Sequence, residues 1–262
     1  MSNAAFLDVR ITRLNCFVLL LSAFSVPLLA QETQLYGGYV YDSLSNNRGT
    51  WKEVYLGAHQ KTDKYQGYYI TARATERFSA HDNELSGGIY LPVNPTWIFS
   101  AEASASTTQR ALPDWTALIQ MQRLLPAGFS VHAGVRRKQY DFVDVDSLLL
   151  TGEWYYGVWR AAYTLGATQL DQGDTDTTHS LALDHYYGSE KESAIGIRYV
   201  TGTESEKIDI PLSVLTMEVD GYAVTGRHWL NEKWAVTYIA GKTRQDDLYD
   251  RSTYGLGIYY RF

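Results

Sequence analysis

The sequence predicts an all-β protein: a single closed antiparallel transmembrane β-barrel with 14 strands. Three observations lead to this fold class. Side chains alternate in polarity near the C-terminus, tight turns alternate with longer polar connections, and Trp residues flank these connections. Twelve or sixteen strands also fit the chain length, because a tilted strand needs roughly ten residues to cross a bilayer.

A leader is predicted before the barrel. Arg10 and Arg13 precede a short apolar run at 16–29, and Ala30 closes that run. Basic residues, a short apolar core and a small final residue are typical of a secretory signal peptide, and the run is too short for a membrane helix. We therefore expect residues 1–30 to be removed and residues 31–262 to form the barrel domain in the outer membrane of a Gram-negative bacterium.

The remaining chain divides into alternating segments separated by two kinds of connection. Tight turns that contain Pro, Gly or Asn lie at 93–96, 126–128, 156–157 and 230–233. Longer polar connections lie at 45–50, 108–114, 171–177, 205–213 and 245–251. Short turns at one rim and longer loops at the other are typical of outer-membrane barrels. The predicted strands lie at 34–44, 51–59, 65–77, 83–92, 97–107, 115–125, 129–140, 146–156, 158–170, 178–187, 194–204, 214–228, 233–244 and 252–262.

Seven Trp residues give an independent indication of membrane interfaces. Five of them flank the tight turns: Trp97, Trp154, Trp159, Trp229 and Trp234. Trp51 and Trp115 begin strands just after longer connections. Amphipathic rings collect where a barrel leaves the hydrocarbon layer, so we expect these residues to form two aromatic girdles.

The last predicted strand has the clearest period of two. Its alternate residues are small, polar or hydroxyl-bearing, as expected for a strand with one apolar face. The last strand of a soluble sandwich would alternate in the same way. On the membrane interpretation the apolar row faces lipid and is the assembly signal that the barrel-assembly machinery recognises. This row is Tyr254, Leu256, Ile258, Tyr260 and Phe262.

Composition excludes several kinds of site and partner. The single cysteine, Cys16, lies in the predicted leader, so the mature chain is expected to have neither a disulfide nor a thiolate site. A formal net charge of −6 argues against nucleic acid as a partner.

Residues 130–165 carry a resemblance to a known family. The positions that carry it are Arg136-Arg137, Tyr140, Asp144-Val145-Asp146, Gly152, Tyr156-Gly157, Arg160 and Tyr163, together with Trp234 and Ala240-Gly241-Lys242 further on. In these positions the chain resembles the YaiO-type outer-membrane β-barrel family. The resemblance implies an integral outer-membrane protein associated with cell-surface polysaccharide production, and it brings no catalytic residues with it.

Charged side chains in the strands are expected to face the lumen, because Arg or Lys costs roughly 2–4 kcal/mol at mid-depth in lipid. Applied strand by strand, the alternation predicts ten lumen-facing residues: Arg73, Glu102, His132, Arg136, Glu153, Arg160, Asp184, Arg198, Glu218 and Asp220. Opposite charges on adjacent strands predict pairing that fills a narrow lumen. A polar track for a sugar-like or anionic solute would use the same residue types, so this alternative stays open.

An outer-membrane enzyme that modifies lipid or sugar is the main alternative function. Such a site needs a nucleophile, a base and a group that orients the base. The best fragments are His179-Ser180 and Asp184-His185, but neighbours on a strand point to opposite faces. We therefore predict no catalytic residues, no cofactor and no metal site.

The sequence thus favours a narrow or plugged channel, or an accessory, linked to the export or handling of a cell-surface polysaccharide. A purely structural or adhesive surface barrel is a further alternative. The expected partners are outer-membrane lipid and lipopolysaccharide, the assembly machinery during biogenesis, and a polysaccharide.

Overall fold

A computed structural model describes residues 32–141, 143–170, 175–208 and 213–262, which form one closed barrel. The barrel has 14 antiparallel strands, and this confirms the predicted fold class. The predicted leader lies outside the described residues. The strands are β1 (Glu32–Leu44), β2 (Thr50–Asp63), β3 (Gln66–Arg77), β4 (Ala80–Asn94), β5 (Trp97–Ser106), β6 (Trp115–Leu124), β7 (Phe129–Tyr140), β8 (Val143–Tyr156), β9 (Trp159–Leu170), β10 (Thr175–Tyr187), β11 (Ser193–Ile208), β12 (Ser213–Trp229), β13 (Trp234–Gln245) and β14 (Tyr249–Arg261).

The first and last strands close the barrel. β1 pairs with β14 in a register that runs from Gln34 opposite Arg261 to Leu44 opposite Arg251. Every other strand pairs with its two neighbours in the chain. A closed ladder suits a membrane, because lipid offers no hydrogen-bond partners to the backbone of an unpaired strand edge. In the described part of the chain, no helix has the length and apolar character needed to cross a membrane.

The outer face of the barrel is apolar through its middle. On β14, Leu256 and Phe262 are each 69% exposed, whereas Gly255 and Gly257 between the exposed residues are buried. Val135 on β7 and Ile197 on β11 are likewise exposed. Apolar side chains that cover a whole girdle of surface indicate contact with lipid. All five residues of the predicted assembly signal lie on this outer face; their role in assembly stays a prediction.

The two rims differ in their connections. We call the rim where β1 begins and β14 ends the terminal rim; it carries the connections 64–65, 95–96, 125–128, 157–158, 188–192 and 230–233. The opposite rim, here the loop rim, carries 45–49, 78–79, 107–114, 141–142, 171–174, 209–212 and 246–248. Several connections are shorter than predicted, because pairing between strands continues further than the sequence indicated. β11 reaches Ile208 and β12 begins at Ser213, so the connection predicted at 205–213 spans only 209–212.

Five of the seven Trp residues lie on the outer face near a rim, as the girdle prediction requires. They are Trp97, Trp115, Trp154, Trp159 and Trp234. The prediction is wrong for the other two. Trp51 points into the lumen, where Leu44 and Tyr249 bury it. Trp229 points inward at the terminal rim, with the Arg261 guanidinium 3.8 Å from its ring centroid.

Candidate functional site: the barrel lumen

Strand pairing determines which side chains face the lumen. The exposed apolar residues mark the outer face of each strand, so their immediate neighbours point inward. On this criterion the structure places eight of the ten predicted residues in the lumen: Arg73, Glu102, His132, Arg136, Glu153, Arg160, Asp184 and Arg198.

Five of these residues form a continuous charge ladder on β7 to β11. His132 Nε2 lies 3.1 Å from Glu153 Oε2, and Arg160 Nε donates to Glu153 Oε1 at 3.0 Å. Arg160 Nη1 donates to Asp184 Oδ2 at 2.8 Å, and Arg198 Nη2 donates to Asp184 Oδ1 at 2.5 Å. Glu153 and Asp184 are buried, so hydrogen-bonded cations compensate their charge in place of water. The ladder joins neighbouring strands, so it follows the wall of the lumen.

A serine completes one end of the ladder. Ser130 Oγ donates to Glu153 Oε2 at 3.1 Å and lies 3.4 Å from His132 Nε2. A catalytic triad uses one imidazole nitrogen towards the nucleophile and the other towards the orienting carboxylate. Here the same nitrogen, Nε2, faces both Ser130 and Glu153. These contacts can stabilise the Glu153 carboxylate, but they do not form the relay of a triad.

The two histidine fragments are split between the faces of β10. Ser180 faces the lumen, whereas His179 contacts the Tyr163 hydroxyl on the outer face at 2.7 Å through Nδ1. Asp184 belongs to the lumen ladder, and His185 packs against the Trp159 ring on the outside, 4.6 Å between centroids. Among the described residues, no group of three His, Cys, Asp or Glu residues could hold a metal ion.

A second ionic cluster lies on β2 to β4. Arg73 is 3.3 Å from Glu53 through Nε and 3.3 Å from Glu84 through Nη1. Alternation identified Arg73, but it missed both glutamates. In the observed register Glu84 lies directly opposite Arg73, and Glu53 lies diagonal to it. The sequence of a strand does not show which residues of the neighbouring strand it faces.

Tyrosines line the lumen on the same side. Tyr36 stacks on Tyr259 with 5.2 Å between ring centroids. Tyr36 also lies over Gly57, where an added Cβ would sit 2.4 Å from the Tyr36 ring. Tyr55 over Gly38 and Tyr69 over Gly88 repeat this arrangement. A glycine opposite each ring therefore lets the ring lie flat on the barrel wall.

The tyrosines Tyr69 and Tyr90 hold the predicted residue Glu102. The Tyr69 hydroxyl donates to Glu102 Oε2 at 2.9 Å, and the Tyr90 hydroxyl donates to Glu102 Oε1 at 3.0 Å. The two rings are 6.4 Å apart between centroids. Glu102 therefore lies at the hydroxyl ends of two aromatic rings on the lumen wall.

Arg136 lies away from the ladder, at a lumen cavity of about 310 Å³. The other polar groups at this cavity are mostly hydroxyls: Ser147, Thr164, Thr168, Thr178 and Ser180. A second cavity of about 480 Å³ reaches Arg160, Arg198 and Thr243. The lumen therefore contains polar space next to the charge ladder.

Buried apolar side chains gather in the lumen at the loop rim. Trp51, Leu44 and Tyr249 form a buried cluster with Phe78 and Leu248 packed against it. Other buried residues near this rim are Leu112, Tyr140, Val145, Met217 and Val219. These residues come from β1, β2, β7, β8, β12 and β14 and from three connections of the loop rim. We refer to them together as the apolar plug.

One loop-rim connection is fixed to the barrel wall beside the plug. The carboxylate of Asp82, which is 1% exposed, accepts hydrogen bonds from loop 107–114. The donors are the Thr108 hydroxyl at 2.7 Å and the backbone N–H groups of Arg110, Ala111 and Leu112 at 3.0, 2.6 and 2.8 Å. Asp82 faces the lumen, so the loop turns inward over the mouth. Sequence alternation missed Asp82, because its role depends on this loop.

The prediction is wrong for Glu218 and Asp220, which lie on the outer face of β12. Tyr222 and Val224 on the same face are 59% and 39% exposed, whereas Met217 and Val219 point inward and are buried. Val219 is therefore a lumen residue. Asp220 accepts a hydrogen bond from the Tyr199 hydroxyl at 2.8 Å. These acids lie near the loop rim, where the outer face leaves the hydrocarbon layer and carboxylates are tolerated.

Comparisons with known proteins agree with this architecture. The translocator domain of autotransporter NalP from Neisseria meningitidis superposes with a TM-score of 0.50 at 10% identity, covering 97% of this chain and 96% of that chain. The Acinetobacter baumannii outer membrane protein Omp33 gives 0.52 at 12% identity, with 89% and 100% covered. A bacterial polysaccharide outer membrane secretin gives 0.52 at 10% identity, with 88% and 98% covered. Identities this low show a shared fold alone.

Sequence comparison gives the family. No curated protein matches the chain. The family model described as the YaiO membrane beta barrel domain matches residues 32–207, which include the charge ladder, the tyrosines Tyr36, Tyr55, Tyr69 and Tyr90, and Asp82. The chain therefore belongs to the YaiO membrane β-barrel family.

Proposed function

We propose that this barrel is a narrow outer-membrane channel, closed at the loop rim, that passes or handles a cell-surface polysaccharide. The observation that carries the proposal is the apolar plug above a polar lumen. A purely structural barrel could be filled along its whole length, whereas this lumen keeps cavities of about 310 and 480 Å³, the first of which reaches Val145 of the plug.

The lining of the lumen supports a sugar-like solute. Hydroxyl groups at these two lumen cavities offer both hydrogen-bond donors and acceptors, as sugar hydroxyls do. Tyrosine rings held flat on the wall offer stacking surfaces with a polar tip. The charge ladder is internally paired, so it adds polarity to the wall with little net charge.

The attachment of loop 107–114 supports closure that can be released. Four hydrogen bonds converge on one buried carboxylate, which holds the middle of the loop, whereas the ends of the loop bond to the backbone carbonyls of Asn83 and Gln139. Loss of that carboxylate leaves three backbone N–H groups without their acceptor, and the loop would move to reach water.

Single-channel recording in planar bilayers tests the proposal. We expect small or no steady conductance for the wild type and larger currents for Asp82→Ala and Trp51→Ala, with the opened channels blocked by added oligosaccharide. Asp146→Ala, which alters only an exposed pair on the outer face, is the matched control and should behave as the wild type. Large steady wild-type currents would show that the mouth is open. Silence in every variant would show a barrel that does not conduct.

A further inference from the structure

Glu102 differs from the other glutamates of the lumen in its partners. Of the five glutamates described on the lumen face, four contact an arginine: Glu32, Glu53, Glu84 and Glu153. Within the described part of the chain, Glu102 contacts the hydroxyls of Tyr69 and Tyr90 and has no cation within ion-pair distance. Its negative charge is therefore uncompensated by the protein around it.

The carboxylate keeps capacity for a further donor. Each oxygen of Glu102 accepts one tyrosine hydroxyl, and a carboxylate offers about four lone-pair positions. The Tyr69 and Tyr90 rings, tilted by 32° to each other, present their hydroxyl ends to the carboxylate. A positively charged nitrogen that donates to the remaining lone pairs would form charge-assisted hydrogen bonds, which are stronger than those between neutral groups.

A glycine makes room for this arrangement. A Cβ at Gly88 would lie 2.5 Å from the Tyr69 ring and 3.1 Å from Glu102 Cγ. The absence of a side chain at Gly88 lets Tyr69 and Glu102 lie side by side on the wall. The three side chains are thus held in place before any ligand arrives.

Tyr90 links the site to a cavity near the terminal rim. Tyr90 is 37% exposed and lines a cavity of about 230 Å³ beside the connection 64–65. Lys61, Asp63 and Lys64 line the same cavity, so a cationic ligand that enters from this rim passes charges of both signs before it reaches Glu102.

We propose that Tyr69, Glu102 and Tyr90 bind an organic ammonium group, and that in a channel for sugar polymers this group is the free amine of an amino sugar. The identification of this group as an amino sugar rests on the proposed function, whereas the binding of an organic ammonium group does not. An N-acetylated sugar has no cation, so it would leave the Glu102 charge unmatched. The site would therefore select sugars with free amines over their acetylated forms.

Isothermal titration calorimetry of the purified barrel in detergent tests this site. We expect a glucosamine tetramer to bind and its N-acetylated counterpart to bind at least about tenfold more weakly, as the loss of one charge-assisted contact implies. The Glu102→Gln variant should bind the glucosamine tetramer more weakly than the wild type by about the same factor. Glu218→Gln makes the same charge change on the outer face and is the matched control. Retention of heat-modifiable migration shows that each variant is folded.

A competition experiment and two tyrosine variants distinguish the possible modes of binding. Putrescine that competes with the tetramer shows that any organic ammonium suffices, whereas its failure to compete shows that the sugar ring is also required. Tyr69→Phe and Tyr90→Phe should each weaken binding of the amine. The proposal would be overturned if wild type and Glu102→Gln bound the glucosamine tetramer with equal affinity. It would also be overturned if the wild type bound the free and the acetylated tetramer equally well. Because binding is measured without conductance, a silent channel that binds the amine would refute only the proposed function.

Discussion

At the scale of single residues, burial determines how much an ion pair contributes to stability. Glu153 is 7% exposed and shares Arg160 with Asp184, whereas the Arg137 and Asp146 side chains on the outer face are 48% and 55% exposed. Removal of one partner of a buried pair leaves a charge that water cannot reach. An exposed pair loses little, because water replaces the partner.

Glu153→Ala is therefore expected to lower the free energy of unfolding by about 3 kcal/mol, because Arg160 and His132 lose their shared carboxylate. Asp146→Ala should lower it by less than about 1 kcal/mol. Urea titration of the detergent-refolded barrel measures both values. Similar losses for the two variants would mean that water reaches the ladder freely.

Residue-level prediction succeeded where alternation alone was sufficient. Arg73, Glu153, Arg160 and Asp184 are found in the lumen because apolar neighbours set the phase of their strands. Their partners Glu53, Glu84 and Ser130 were missed, because a pair across strands depends on register. Register is a property of two strands together, and a single strand's period of two does not contain it.

At the scale of elements, the prediction of inward or outward side-chain orientation failed near the ends of strands. The charges of Glu218 and Asp220 predict the wrong side-chain orientation for β12, because a charged side chain is expected to avoid lipid. This strand reaches beyond the hydrocarbon layer near the loop rim, so its outer face carries acids there and apolar Tyr222 and Val224 further along. Trp51 was misplaced for a related reason, since an aromatic residue beside a rim can point outward to lipid or inward to a plug.

The outer row of β14 leads to a prediction about assembly. Phe262 is 69% exposed, and its ring packs on Tyr260 at 4.9 Å between centroids. Phe262→Asp places a charge in this apolar row, so we expect less folded protein in the outer membrane. Phe262→Leu keeps the row apolar and should assemble normally. The measurement is the amount of heat-modifiable barrel in outer-membrane fractions. Wild-type amounts of Phe262→Asp would contradict the role of this row in assembly.

At the scale of the whole molecule, the lumen is asymmetric. Most of the buried apolar side chains lie at the loop rim, whereas the cavity of about 480 Å³ lies beside Arg160 and Arg198, deeper in the barrel. The sequence predicted the closed barrel and its 14 strands, because alternation and turn composition repeat along the chain. It could not predict at which rim the buried apolar side chains gather, because the apolar plug combines residues from strands that are far apart in the chain.

The asymmetry predicts different access from the two sides of the membrane. Ser180 lines both lumen cavities, and the only cysteine of the chain lies in the predicted leader. We expect Ser180→Cys to react with a charged thiol reagent quickly from the terminal rim and slowly from the loop rim, because the apolar plug excludes ions. Adding Trp51→Ala should speed the reaction from the loop rim. Rates are measured in liposomes of known orientation.

A control thiol on the outer face completes this experiment. Glu218→Cys lies outside the plug and should react quickly from the loop rim in either background. Equal rates for Ser180→Cys from both sides, together with fast labelling of Glu218→Cys, would mean that the plug does not exclude ions.

The inward turn of loop 107–114 has a consequence for what the cell presents to its surroundings. A protein that recognises a surface firmly needs about 800 Å² on each partner. The longest described connection of the loop rim is tied to Asp82 inside the mouth, and its neighbours are short turns. The described segment that extends past the other strands at this rim is the hairpin of β11 and β12, whose pairing continues from Thr203 opposite Glu218 to Ile208 opposite Ser213. We therefore expect an antibody raised against the folded barrel to recognise this hairpin rather than loop 107–114.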